Sequence, residues 1–157
     1  MSNAEAAHAA FASQEGVDGG PGEWFEVTQE QINQFADATL DHQFIHIDPE
    51  AAAATPFGGT IAHGFLTLSM LSHLTTSIPQ DLPHLDGMLM GINYGFDKVR
   101  FVAPVPSGSR IRATSVLAKR ALKGTSLDLT RTVTVEVEGG DKPAIVADWI
   151  TRIVFDS

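Results

Sequence analysis

Between Thr60 and about Ser77 the chain carries a helix pattern that leaves almost no side for water. Ile61, Phe65, Leu66, Leu68, Met70, Leu71 and Leu74 cover more of a helix than a surface stripe requires. Such a helix has to be enclosed by protein on most sides. It is no bilayer span, because Thr67, Ser69, Ser72 and His73 interrupt the run and it is too short. The enclosing material follows directly. From Met88 the pattern changes period, and 88–96, 99–102, 110–121, 127–137 and 144–155 are rich in β-branched and aromatic residues. Pro104 to Gly108, Lys123 to Thr125 and Gly139 to Lys142 punctuate them as turns. Leu127, Leu129, Val133, Val135 and Val137 alternate with polar residues, one face in and one face out. Arg131 interrupts that apolar face, which suggests a place near an edge or an interface. The expected class is α+β: an antiparallel sheet of five or six strands curled around one long central helix.

Upstream elements are shorter. Trp24 to Val27 reads as a strand, and Thr28 then opens a helix. Thr28 with Gln31 has capping-box spacing, and Val27 with Ile32 has the spacing of a hydrophobic staple. This helix should fade near Thr39. Asp48-Pro49 marks another helix start, with Asp as N-cap and Pro at the first position. Residues 1–21, rich in Ala and Gly, read as a flexible tail, so one domain is expected over 22–157. The tail lacks the basic region of a secretory signal and the arginines of a transit peptide. A soluble, cytoplasmic protein is the expectation. The net charge of −9 gives nucleic-acid binding no electrostatic support. The absence of cysteine excludes disulfides and thiolate chemistry.

Chemistry concentrates between Asp41 and Gly64. Asp41 and His46 are five residues apart, about 140° apart on a helix and on opposite faces of a strand. They converge only if the backbone between them is irregular. His63-Gly64 stands beside the start of the buried helix, where amide N–H groups lack partners. Acid–base groups next to free amides suit polarising a carbonyl and moving a proton. Each residue also has a plain structural role open to it. Asp41 can be a turn residue, His46 a hydrogen-bonded half-buried ring, Gly64 a packing position and Ser72 a core hydroxyl bonded to the preceding turn. Asp41, His42 and His46, with His63 as a further ligand, also allow a metal site if the segment is helical. Lys98, Arg100 and the Lys119/Arg120/Lys123 group could meet phosphates, although such charges usually decorate solvated strands.

These residues resemble the MaoC-like hydratase/dehydratase family of hot-dog fold, in its nodulation-protein-N-like branch. The resemblance runs from about Gly22 to the C-terminus and is most specific over Asp41-His42-Gln43-Phe44-Ile45-His46 and His63-Gly64. It extends to Ile92-Asn93-Tyr94-Gly95, Val99-Arg100-Phe101 and Pro104-Val105-Pro106. Against the broad motif Gly-Asp-x-Asn-Pro-(Leu/Ile)-His, this chain has Leu40 for Gly, Gln43 for Asn and Phe44 for Pro. The resemblance implies R-specific hydration of trans-2-enoyl thioesters of coenzyme A and the reverse dehydration. Asp41 and His46 would be catalytic, and His63, Gly64 and Ser72 would bind substrate. Spacing does not assign base and acid within the pair. No metal or redox cofactor is implied. An acyl tunnel between two hot-dog units, in a chain with room for one, implies a homodimer. Two rivals share the scaffold: a hot-dog acyl-CoA thioesterase, and a non-catalytic acyl-CoA-binding protein.

Overall fold

In the computed structural model, which describes residues 1–156, four long strands and one short one form a single sheet. They are β1 (Phe25–Glu26), β2 (Met88–Phe101), β3 (Arg110–Lys123), β4 (Ser126–Val137) and β5 (Ile145–Phe155), in the order β1-β3-β4-β5-β2 and antiparallel throughout. The two segments expected over 88–102 are one strand. Register shifts at Met88/Met90, Asn93/Gly95 and Phe96/Lys98 absorb the break in alternation that reads as a gap in sequence.

The helix pattern beginning at Thr60 resolves differently. Residues 60–63 are irregular: Ala62 N–H donates to the Val105 carbonyl at 2.8 Å, and Ile61 bridges Pro106. Regular helix runs over Gly64–Ser69, breaks at Met70, resumes over Leu71–Leu74 and tightens into a 3-10 turn over Thr75–Ser77. Leu71 and Leu74 enter the main core with Ile111, Ala113, Val133, Val135 and Trp149 on the concave face of the sheet. Phe65, by contrast, is 66 % exposed. One chain therefore encloses this helix on one side only.

Helix caps follow the sequence. In the helix Gln29–Thr39, the Thr28 hydroxyl accepts from Gln31 N–H at 3.2 Å while the Gln31 side chain accepts from Thr28 N–H at 3.1 Å. Val27 and Ile32 are fully buried together. Asp48 caps the helix Pro49–Ala53 by accepting from Glu50 and Ala51 N–H.

The N-terminal segment departs from expectation. Asn3–Ala10 is a helix with a capping box of Ser2 and Glu5, and Phe11–Gln14 is a 3-10 turn. Ala4, Ala7 and Phe11 lie on Leu117, Leu127, Leu129, Ile153 and Phe155, the half of the concave face the central helix leaves uncovered. These residues of the expected tail thus form part of the hydrophobic packing. Arg131 is likewise not near an edge, since β4 is the middle strand of the five.

No helix among the described residues is long and apolar enough to cross a membrane.

Candidate active site

Asp41 and His46 meet because the chain between them is irregular at one end and tightly wound at the other. The helix Gln29–Thr39 stops at Leu40, whose φ of 64° is left-handed and unfavourable for a side chain carrying Cβ. Leu40 is 81 % exposed, so little packing offsets that strain. Leu40→Gly should therefore stabilise the fold by about 1 kcal/mol. A urea-unfolding midpoint that fails to rise would contradict this. Beyond it, Phe44–Ile47 forms one helical turn that carries His46 inward.

Hydrogen bonds define the two buried imidazoles. His46 Nδ1 lies 2.7 Å from the Ile61 carbonyl oxygen. A carbonyl only accepts, so Nδ1 carries the proton and Nε2 holds a free lone pair. His63 Nε2 lies 3.0 Å from the Asp41 carbonyl and donates to it, which leaves His63 Nδ1 buried without a partner. The two rings stack at 3.8 Å between centroids, and Phe35 packs on His63 at 4.9 Å. Burial pushes the His46 pKa down. The Ile61 carbonyl opposes this, and the neighbouring His63 and Asp41 add smaller, opposing effects.

The Asp41 carboxylate is exposed and accepts weakly from Gln43 N–H at 3.4 Å. One donor atom each from Asp41, His46 and His63 lies within 4.8 Å of the others. That set of one oxygen and two nitrogens could hold either a divalent ion or a water molecule. His42 does not join it; its Nε2 pairs with Asp37 at 2.8 Å.

A cavity of about 300 Å³ opens beside His46, lined by Phe57, Ile61, Gly64, Thr67 and Phe101 among others. Its volume is at the lower end for small-molecule sites. Gly64 borders it at the first turn of the helix. A Cβ there would sit 2.8 Å from the Phe101 ring, so glycine permits that close approach. Ser72 is not part of this cavity. It is exposed and borders a separate space with Asn93, Phe96 and Trp149. Eight residues beyond Gly64, it lies about 80° round the helix, and the break at Met70 moves it further.

Two residues that sequence reasoning passed over belong to the site. The Thr67 hydroxyl borders the cavity, buried and without a hydrogen-bond partner. Gln29 ties the site together, with Nε2 donating to the His46 carbonyl at 2.7 Å and Oε1 accepting from the Thr60 hydroxyl. Arg120 is committed elsewhere, to Glu15 at 2.7 Å and to the His8 carbonyl.

A curled antiparallel sheet packed on a central helix defines a hot-dog fold. The family model described as "MaoC like domain" matches residues 12–139, and the chain belongs to that family. Among its relatives, Nodulation protein N of Rhizobium leguminosarum bv. viciae is 52 % identical over 143 residues, covering 90 % of this chain and 87 % of that protein. The 3-hydroxyacyl-thioester dehydratase Z of Mycobacterium tuberculosis is 51 % identical over 145 residues, covering 92 % and 93 %. The structure of the (R)-hydratase from A. caviae superposes with a TM-score of 0.65 at 24 % identity, covering 86 % of this chain and 95 % of that one, a likeness of fold.

Proposed function

We propose that this protein is a hydro-lyase that hydrates trans-2-enoyl-CoA to (R)-3-hydroxyacyl-CoA and catalyses the reverse dehydration. The observation that carries the reading is the Asp41 carboxylate within a few ångströms of the His46 imidazole, which borders the cavity together with Gly64. The name and 51 % identity of the mycobacterial dehydratase support the reaction class.

Hydration needs a base for water, a proton for Cα and stabilisation of charge on the thioester oxygen. A water between Asp41 and His46 Nε2 donates one hydrogen to each and turns its oxygen lone pair toward Cβ. As the C–O bond forms, the pair takes one proton and delivers one to Cα on the same face. With Nδ1–H held by Ile61, neutral His46 offers an acceptor at Nε2, so it enters the hydration direction as a base. The Gly64 amide, in the first helical turn, donates to the thioester oxygen as enolate charge develops; one such donor is typically worth about 3 kcal/mol. His63 supports the pair by holding the Asp41 backbone and stacking on His46. Thr67 supplies a free hydroxyl at the cavity wall. No metal or redox cofactor takes part.

The working unit in this reading is a homodimer. The outer edge of β2 pairs with no described strand, and it carries Met88, Met90, Ile92, Tyr94 and Phe96 exposed. An apolar open edge of this length invites a second copy. The partner would also cover Phe65 and Phe101, which meet edge to face at 5.7 Å near the cavity.

The deciding assay follows crotonyl, octenoyl and longer enoyl thioesters with two signals, alongside sedimentation to measure the assembly. Loss of enoyl absorbance without free thiol, unaffected by strong chelation, is the expected result. Thiol release would identify a thioesterase, and binding without turnover an acyl-binding protein.

The depressed His46 pKa sets the pH response. The acid limb of kcat/KM should lie below the ordinary imidazole value of about 6.5. An unfolded imidazole takes up a proton below that value while the buried one resists it. This contribution to stability is therefore complete above that range and lost as the pH falls. A limb at or above 6.5 would contradict the assignment.

A further inference from the structure

Five of the six arginines have partners: Arg110, Arg112, Arg120 and Arg152 pair with carboxylates, and Arg100 donates to a carbonyl. Arg131 is the exception. It lies in the middle strand on the concave face, opposite Leu117 on β3 and Trp149 on β5. Leu129 and Val133 flank it on its own strand. All four are buried, and none of their side chains can accept a guanidinium N–H. Among the described residues, no carboxylate comes within 4.0 Å of Arg131. Arg131 is half-buried, and this partial burial disfavours its charge without a protein counter-charge to offset the cost.

A second orphan stands beside it. Ser115, diagonal to Arg131 across the β3–β4 pair, is 4 % exposed, and its hydroxyl has no hydrogen-bond partner. Both residues border one cavity of about 150 Å³, roofed by the N-terminal segment and by the chain just after the central helix. That roof is closely fitted. A Cβ on Gly19 would clash with the Pro79 carbonyl oxygen, and Gln14 donates to the Asp81 carbonyl at 3.0 Å. Asp81 also borders the cavity, but its carboxylate does not reach Arg131.

We propose that Arg131 and Ser115 form a binding site for a small oxyanion, separate from the cavity beside His46. A guanidinium fork and a hydroxyl with no protein acceptor complement the oxygens of a carboxylate or a phosphate. The space equals a few water molecules at about 30 Å³ each, which fits inorganic phosphate or a short carboxylate and excludes a nucleotide. The bound anion supplies the counter-charge that the strand lacks and links the N-terminal segment to the sheet. The site does not depend on the hydratase reading.

The test is calorimetric titration of the full chain with sodium phosphate and, separately, sodium acetate, at ionic strength held constant with choline chloride. One saturable site per chain is expected for one or both anions. The ratio of the two affinities tells whether a tetrahedral or a planar oxyanion fits better. Arg131→Met should abolish binding and Ser115→Ala should weaken it several-fold. The wild-type unfolding temperature should also rise with the bound anion and not with added chloride. If Arg131→Met does not fold, the Ser115→Ala affinity and the wild-type thermal shift decide. Absence of saturable binding to the wild type, undiminished binding by Arg131→Met, or unchanged affinity in Ser115→Ala would each overturn the proposal.

Discussion

Asp41→Asn and His46→Ala should each lower hydration by about 10²- to 10⁴-fold, the usual contribution of a positioned acid or base. Asp41→Asn is the cleaner variant. Its side chain is exposed and accepts one long hydrogen bond, so an amide of the same shape leaves the fold intact while removing the charged acceptor. His46→Ala removes a buried ring, leaves the Ile61 carbonyl without its donor and deprives His63 of its stacking partner. A stability loss of about 1–3 kcal/mol accompanies it. The circular-dichroism spectrum should match the wild type in both, with kcat carrying the loss. Wild-type turnover by either variant would remove that residue from the mechanism.

The second large effect lies far from the chemistry. Phe11 is 2 % exposed and seals the cluster formed by Leu117, Leu127, Leu129, Ile153 and Phe155. Phe11→Ala should cost about 3–5 kcal/mol, because both the burial and the packing around the ring are lost. Such a loss is a large part of the 5–15 kcal/mol that typically holds a domain together. Removing residues 1–20 should be worse still, exposing an apolar sheet face and promoting aggregation. Urea unfolding of the full-length variant measures the first effect; an unchanged midpoint would show that the segment does not pack in solution.

That segment was legible in part. Ser2 with Glu5 has capping-box spacing, and Ala4, Ala7 and Phe11 recur at helical intervals. Its Ala and Gly content obscured this, since small residues read as linker unless a surface awaits them. Thr67 was missed for a different reason. Its hydroxyl is one of several along the buried run, and only packing shows that it is left unpartnered at the cavity wall, whereas Ser72, implied by the family resemblance, borders a separate space. Arg131 stood out as an interruption of the apolar alternation, yet its position at the centre of the sheet depends on strand order, which periodicity does not carry.

Local chemistry accounts for what the sequence determined alone. Capping boxes, turn residues and the change from helical to strand period act between residues close along the chain. They specified the caps at Thr28 and Asp48 and the alternating strand faces, whereas the Asp41-to-His46 segment is irregular only as far as Gln43, before the helical turn Phe44–Ile47. The tertiary structure decided what depends on distant residues meeting. The Ile61 carbonyl orients His46, the His63 ring is held by the Asp41 backbone, the N-terminal helix finds its sheet face, and Arg131 is left without a counter-charge. These arrangements follow from long-range packing, in which each side chain's surroundings are supplied by residues tens of positions away.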